Sequence, residues 1–505
     1  MSDEGKSYRQ ILRSSSIIGG ASLLNILIGL VRTKVAAIFL GPAGIGLIGL
    51  FNHLIATASN VASLGFGPVG TRQIAEGVGR EDAAAVALAR QSLYWGTLVL
   101  AAGGAALFWL MRDILATHVL KDASLTDEVG WLAVGVGLNV AAISQSAVLN
   151  GLRRIGDLAW VSVLSAVLST ALGIPALLLW GQSGLLAYLL VTPIASFLVG
   201  YGYVARLPKA ASAPISLSFL VRQWRDMARL GMAFMLAGLA VTVANLVVRT
   251  LVQRELGPDA LGHFEAAWMI SMTYMGLVLR AMGADYYPRL ASSIHNHADV
   301  NRLVNEQTEV ALLLAGPVVL AMLGLTPWVI TLLYSPQFME ASGVLRWQVL
   351  GDILKVASWP LGVIILAAGD GRTYLFAEIF SVSIFVFCVW IGLPYVGLNI
   401  TGLGFLAMYA FYLPLVYWLA SRRTGFHWNR MVMWKLLLLL VASVGVALIA
   451  VHSKIAGAIF GLIFSIVYGF FALARLAHMT NLSGPLVGFA RVYRKLAVRL
   501  GIDNN

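Results

Sequence analysis

The chain has 505 residues, 59% of them hydrophobic and only 11% charged, with a mean hydropathy of +0.83. That balance excludes a soluble globular domain and a disordered chain, and it fits a protein whose solvent is lipid. The net charge of +12 invites a nucleic-acid reading, but in a membrane protein a basic excess marks cytoplasmic loops, so no nucleic-acid partner is expected. Cys388, the one cysteine, lies within an apolar run, which leaves no disulfide and no cysteine-based metal site.

Lys6, Arg9 and Arg13 before the first apolar run imitate a signal peptide. The run is too long, is interrupted by Arg32 and lacks a small-residue cleavage site, so it reads as an uncleaved first helix. Since a bilayer-crossing helix needs about 20 apolar residues, the apolar runs between Gly, Pro and charge breaks give about 14 spanning segments. They are 14–40, 44–68, 88–111, 131–150, 158–180, 184–205, 230–256, 260–284, 308–333, 344–368, 373–395, 399–420, 433–452 and 455–477. An all-α integral membrane protein follows. With a cytoplasmic N-terminus, one set of loops carries Arg72, Arg80, Arg153, Arg154, Arg206, Lys209, Arg289, Arg302, Arg372, Arg422 and Arg423, whereas the opposite loops carry Arg112, Lys121 and Lys454. This asymmetry places both termini in the cytoplasm.

The first segment has an echo. Arg32-Thr33 and Leu40-Gly41-Pro42 reappear as Arg249-Thr250 and Leu256-Gly257-Pro258, a spacing of about 217 residues that carries the first helix onto the seventh. Six helices per half return each half to the same side, so the halves read as parallel repeats about an axis along the membrane normal. The expected organisation is a six-helix lobe at 1–206, a cytoplasmic linker with an interfacial helix at 207–229 and a second six-helix lobe at 230–421. Two additional helices at 422–477 and a cytoplasmic basic tail at 478–505 complete it. In the linker Leu217, Leu220, Val221 and Trp224 recur at helical spacing beside Arg222 and Arg225. In the tail Leu482, Leu486, Phe489, Tyr493 and Leu496 do the same beside Arg491 and Arg494. Both stripes fit helices lying on the acidic inner leaflet.

Charges at membrane depth are expensive and mark pathways. At about 1.5 Å per helical residue, Arg32, His53, Arg249, Asp352 and Lys355 all fall close to the bilayer midplane, on four different helices. A polar chamber is the simplest arrangement that satisfies them. The helical faces agree: Asn245, Arg249 and Gln253 repeat every four residues, Asn25 and Arg32 are seven apart, and His53, Thr57 and Asn60 form a third stripe. Glu265 and Arg280 flank the corresponding face of the eighth segment. Asp352 and Lys355, three apart, either neutralise one another or serve the chamber. Lys34 and Arg254 lie nearer the membrane edge, where snorkelling competes with a place in the lumen. Arginine's planar fork suits carboxylate and phosphate, so two or three bases at the midplane favour an anionic substrate. A cation exporter would centre on unpaired carboxylates.

Other motifs fail their context. Gly65-Phe66-Gly67-Pro68-Val69-Gly70 satisfies G-x-G-x-x-G, but it ends a transmembrane segment with no preceding strand. Gly5-Lys6-Ser7 lacks the upstream glycine of a phosphate-binding loop. No paired metal ligands and no nucleophile–base set survive the topology, and the longest outer segment, near 112–130, is too short for a catalytic domain. No catalytic residue, metal or cofactor is expected.

The pattern Leu40-Gly41-Pro42-Ala43-Gly44-Ile45-Gly46-Leu47 after an Arg-bearing helix, followed by Phe51, Leu54-Ile55, Gly65-Phe66 and Arg72-Gln73-Ile74-Ala75, resembles the polysaccharide transport family of flippases. That family includes the Wzx-type O-antigen translocases and belongs to the superfamily of multidrug, oligosaccharidyl-lipid and polysaccharide exporters. The specific motif covers about the first 80 residues; the helix count extends the likeness along the chain. The resemblance implies a two-lobed, V-shaped, alternating-access protein of the bacterial inner membrane. It would move an undecaprenyl-diphosphate-linked oligosaccharide from the cytoplasmic to the periplasmic face, among membrane lipids and beside a polysaccharide polymerase and a chain-length regulator. The cationic lumen maps onto Arg32 and Arg249, then Arg280, Lys355 and Lys34, with Asn25, His53, Asn60, Asn245 and Gln253 as polar lining. Where members couple to an ion or proton gradient, Glu265 and Asp352 are the candidate carriers. The competing readings are an exporter of another substrate on the same fold, a multidrug cation or a different anionic lipid, and a membrane glycan polymerase or ligase. The short, base-poor outer loops count against the enzyme.

Overall fold

A computed structural model describes residues 3–208 and 217–477 of the chain. Among the described residues it is helical throughout, with no strand. The elements in order are α1 (Asp3–Ala62), α2 (Phe66–Gly79), α3 (Ala83–Leu110), a short α4 (Arg112–Ile114), α5 (Thr126–Gly151), α6 (Ile155–Trp180), α7 (Leu185–Ala205) and α8 (Leu217–Ser292). They continue with α9 (His297–Leu333), α10 (Ala341–Ala367), α11 (Gly371–Val396), α12 (Asn399–Thr424), α13 (Arg430–His452) and α14 (Lys454–Ala477). Ten helical stretches among the described residues are long and apolar enough to cross a membrane. The expected spanning segments coincide with helices to within a residue or two at their ends, α1 and α8 each holding two, except that 44–68 runs past the end of α1 through a turn at 63–65 into α2. The stripe expected at 482–500 lies outside the described residues.

α1 and α8 break at equivalent points, and the cause is local. A residue before proline is pushed to extended ψ, and Gly41 (φ 63°, ψ −167°) and Gly257 (φ 87°, ψ 177°) add a positive φ that glycine takes without strain. Pro42 and Pro258 then open the next helix, where the missing N–H costs nothing. The two turns also touch, reciprocally. A Cβ on Gly46, four residues past Pro42, would lie 2.7 Å from the Pro258 carbonyl oxygen and 2.8 Å from the Gly262 nitrogen. A Cβ on Gly262, four residues past Pro258, would overlap the Pro42 carbonyl. The repeat is therefore L-G-P-x-x-x-G, and its last glycine lets each backbone rest on the other.

The chain divides into two compact units, Met1–Gly262 with Leu333–Ser335, and His263–Leu332 with Pro336–Asn505. In the first, α3 packs on α5, α6 on α7, and α1 on α6. One core cluster joins Phe66, Ile74, Leu93, Leu149 and Met227. The start of α8 belongs to this cluster: the Trp224 indole donates to the Ser92 carbonyl at 2.9 Å, and Ser92 Oγ donates to Gln223 Oε1 at 3.1 Å. Trp224 thus seats on α3, while Val221 on the same stripe stays exposed. In the second unit α10 and α11 pack on α12, around Tyr286, Leu361, Val416 and Phe426. Outward faces carry large apolar side chains such as Leu179, Trp180, Leu438 and Val451, the pattern of helices solvated by lipid.

α13 and α14 are fastened to α9 by two means. Gly324 lies against Gly457 and Gly461, the small-residue contact by which helices approach closely in membranes. Glu309 of α9 accepts from both Lys435 of α13 and, at 2.8 Å, Arg475 of α14. The Glu309 and Lys435 side chains are 8% and 6% exposed. Removing one partner leaves a buried charge uncompensated, at about 3–5 kcal/mol. Glu309→Gln is therefore expected to lower the thermal unfolding midpoint in detergent by several degrees. An unchanged melt would show that the triad does not hold the two helices.

Gly262→Ala is expected to destabilise by about 1–3 kcal/mol through overpacking against backbone that cannot yield. Gly445→Ala, which meets no atom within 4 Å, serves as the neutral comparison in the same thermal measurement.

Candidate functional site

The polar groups expected at membrane depth gather in three places, two in the first unit and one in the second. Arg32 on α1 lies against α6 and α7. Its Nη1 donates to Thr192 Oγ1 at 2.7 Å and to Ser169 Oγ at 3.2 Å, and its Nη2 donates to the Tyr188 carbonyl at 2.8 Å. The guanidinium also lies 4.2 Å from the centre of the Tyr188 ring. Two turns earlier on the same helix, Asn25 Nδ2 donates to Ser162 Oγ at 2.6 Å. Both residues border a cavity of about 790 Å³ lined from α1, α2, α5, α6 and α7. Most of its polar wall consists of uncharged residues that sequence reasoning does not single out: Asn139, Ser146 and Asn150 on α5, Ser165 on α6, and Ser196 on α7.

Arg249 on α8 is fully buried. Its Nη1 donates to the Asn245 carbonyl at 3.0 Å and to Asn245 Oδ1 at 3.3 Å, and Asn245 Nδ2 donates back to the Val241 carbonyl. Asn245 and Arg249 thus each bond to the turn before them along one helix. His53 is an electrostatic neighbour of Arg249, and its carbonyl accepts from Thr57 Oγ1. Gln253, next on the stripe, keeps its Oε1 buried without a donor among the described residues. Asn60 and Arg254 are exposed, and Lys34 is half-buried and has an interaction partner.

In the second unit Asp352 is fully buried on α10. Its Oδ2 accepts from Ser271 Oγ at 2.7 Å and from Tyr274 Oη at 2.5 Å, so its charge is met by hydroxyls of α8. Lys355 has no ion pair within 4 Å among the described residues. Its Nζ reaches Met272 Sδ at 3.5 Å and lies 5.7 Å and 5.9 Å from the Phe405 and Tyr409 ring centres. Asp352 and Glu378 both act on it electrostatically, and Glu378 Oε1 accepts from Tyr412 Oη at 2.8 Å. Asp352 and Lys355 thus make no ion pair within 4 Å among the described residues, while each acts electrostatically on the other. Glu265 is buried and partnered; the Arg280 side chain lies outside the described ones. Nothing in the sequence singles out Ser271 or Tyr274, because serine and tyrosine at these positions look like ordinary helix residues until α10 is set beside them.

Comparison with known proteins gives this architecture a lineage. The chain is 23% identical over 421 residues to the Lipid III flippase of Escherichia coli (strain K12), covering 80% of this chain and 97% of that protein, and matches the Lipid III flippase of Shigella flexneri to the same extent. Among solved structures it superposes on an inward-facing multidrug resistance MATE family transporter of the MOP superfamily. The TM-score is 0.69 at 17% identity, over 81% of this chain and 98% of that one. It superposes equally on the lipid II flippase MurJ in an inward closed conformation, with a TM-score of 0.69 at 11% identity over 91% and 99% of the two chains. These likenesses show that the chain shares the all-α, multi-pass fold of those proteins. The polysaccharide biosynthesis protein family matches residues 35–343, and the chain belongs to it.

Proposed function

We propose that this protein is a flippase, a transporter and not an enzyme, that carries an undecaprenyl-diphosphate-linked oligosaccharide from the cytoplasmic to the periplasmic face of the bacterial inner membrane. The observation that carries the reading is the likeness to the Lipid III flippases along 97% of their length, in a chain of the polysaccharide biosynthesis family. The chemistry supports it. Arg249 sits fully buried on its helix, and a buried guanidinium is suited to a diphosphate. Lys355, with no ion pair within 4 Å among the described residues, supplies a second cation, with Lys34 and Arg280 as further candidates. Alternating access brings these groups to the headgroup in turn while the lipid tail stays in the bilayer. Both termini lie in the cytoplasm, on the side of the arginine-rich loops. A polymerase and a chain-length regulator act on the delivered unit. No resident cofactor is needed; an ion or proton gradient drives the cycle through Asp352, with Glu265 as the second acid.

Deletion of the gene, followed by extraction of lipid-linked glycans with sidedness controls, tests this. Complete units should accumulate on the cytoplasmic face and be cleared by the wild-type chain. Units that reach the outer face unpolymerised would indicate an enzyme. Unchanged glycans with altered sensitivity to cationic drugs would indicate a drug exporter.

Arg249→Ala should abolish this rescue with insertion intact by immunoblot, and Arg249→Lys should retain part of it if charge matters more than the fork. Full rescue by Arg249→Ala would remove Arg249 from the mechanism. Asp352→Asn should make transport in vesicles insensitive to collapse of the gradient; an unchanged response would exclude Asp352 as the carrier.

A further inference from the structure

We infer that the polar cavity inside the first unit is the binding site for the glycan portion of the substrate, distinct from the site of the diphosphate. This rests on the lipid-linked-oligosaccharide reading and adds to it a place and a chemistry of recognition.

The cavity is polar without being ionic. Among its described lining residues one side chain is charged, Arg32, and there is no carboxylate. Arg32 is already engaged: both Nη1 hydrogens are taken by Thr192 and Ser169, one Nη2 hydrogen by the Tyr188 carbonyl, and its face by the Tyr188 ring. It braces α1 against α6 and α7 with three of its five N–H donors, which leaves Nε, buried without a partner among the described residues, and one Nη2 hydrogen; a lone guanidinium so placed does not neutralise a multiply charged anion. The remaining polar wall consists of amides and hydroxyls, notably Asn25, Asn139, Gln145, Ser146 and Ser165. Each can donate and accept, which matches the hydroxyl and amide groups of neutral sugars and discriminates against charged or apolar ligands.

The wall also has unmet bonding capacity. Asn25 Oδ1, Gln145 Oε1 and Ser165 Oγ are buried without partners among the described residues, and Ser165 is 7% exposed. Buried polar groups are normally bonded, and leaving them bare costs free energy that a bonded ligand recovers. The volume of about 790 Å³ is within the range of small-ligand pockets, so it takes a short oligosaccharide, not a polymer. Its position fits too. The lining residues come from the early part of α6, the late part of α5 and α7, and the stretch of α1 that pairs with them, the helix ends that meet the loops bearing Arg153, Arg154 and Arg206. By the positive-inside rule that end is cytoplasmic, where a newly assembled headgroup would arrive.

The test uses the full-length protein in nanodiscs, with Ser146→Cys in a Cys388→Ser background. Two probes are compared for their ability to slow alkylation by N-ethylmaleimide. One is the soluble oligosaccharide released by mild acid from the host's own lipid-linked glycans; the other is farnesyl diphosphate, a lipid diphosphate with no sugar. The oligosaccharide should slow the reaction severalfold and farnesyl diphosphate should not. In the deletion strain, Asn139→Leu and Ser146→Leu, at wild-type membrane abundance, should lower rescue by about tenfold, the size of roughly one lost bonded contact. Protection by farnesyl diphosphate, no protection by the oligosaccharide, or full rescue by both leucine variants would overturn the glycan assignment. If the deletion strain accumulates glycan and the wild type clears it, those failures leave the flippase reading standing. If no glycan accumulates at all, the flippase reading fails, and the glycan site with it.

Discussion

In hydrocarbon a backbone amide has no partner except another part of the chain, so a polypeptide can turn within or near the membrane only where something removes or satisfies that amide. Pro42 and Pro258 remove it, and Gly41 and Gly257 supply the φ the turn requires. The turns are then pressed together through Gly46 and Gly262, each against the other's proline carbonyl. This contact explains why the motif recurs in the sequence. A glycine four residues after the proline has no local helical purpose, and its use appears only when both copies are considered together. Everything carried on α1 and on the first half of α8, Arg32 and Arg249 included, takes its register from these two turns.

Polar groups inside the protein are then handled by three different devices. Arg249 is bonded along its own helix to Asn245, Asp352 is bonded across helices to Ser271 and Tyr274, and Glu309 is held by two cations on α13 and α14. On the proposed function, the first two concern groups that a substrate or an ion would meet. The third is a fastening: Glu309 and Lys435 are nearly as buried as a hydrophobic core, and two cations converge on one carboxylate oxygen. Burial alone therefore does not mark function in this protein. Lys355 differs from Glu309 in its access to a direct counter-charge. Lys355, flanked by Asp352 and Glu378, has none within ion-pair distance among the described residues.

The helical content, the repeat and the burial of Arg249 and Asp352 are legible in the sequence because each leaves a one-dimensional trace: an apolar run, a recurring motif, a charge where none belongs. The stripes on α5 and α6 leave the same kind of trace. Asn139, Ser146 and Asn150 are separated by seven and four residues, and Ser162, Ser165 and Ser169 by three and four, all on one face in each helix. They stay inconspicuous because serine and asparagine in transmembrane segments commonly bond to their own backbone, so no single one stands out. Glu309 is hidden for the opposite reason: its partners are more than a hundred positions away, and nothing local announces them. The linker stripe with Trp224 fits a lipid surface when taken from the sequence, whereas the indole bonds to Ser92 on α3. Apolar residues at helical spacing do not tell a lipid surface from a protein one.

An amphiphile whose head joins a neutral, hydroxyl-rich glycan to a doubly charged linker presents a recognition problem that no uniform cavity solves. A strongly cationic chamber would hold the linker and gain nothing from the sugar, and it would bind any lipid phosphate as well. Amides and hydroxyls bind sugars selectively but weakly, because every bond they make replaces one to water. Dividing the work gives both properties. On the proposed reading, buried bases such as Arg249 and Lys355 would supply the attraction to phosphate, and a wall such as that of Asn139, Ser146 and Ser165 would supply the discrimination among heads. In such a scheme Arg32 has a reason to be an arginine without contacting phosphate. Its fork ties α1 to α6 and α7 through three bonds at once, which a lysine's single ammonium cannot do in the same geometry, and so it fixes the shape of the cavity it borders.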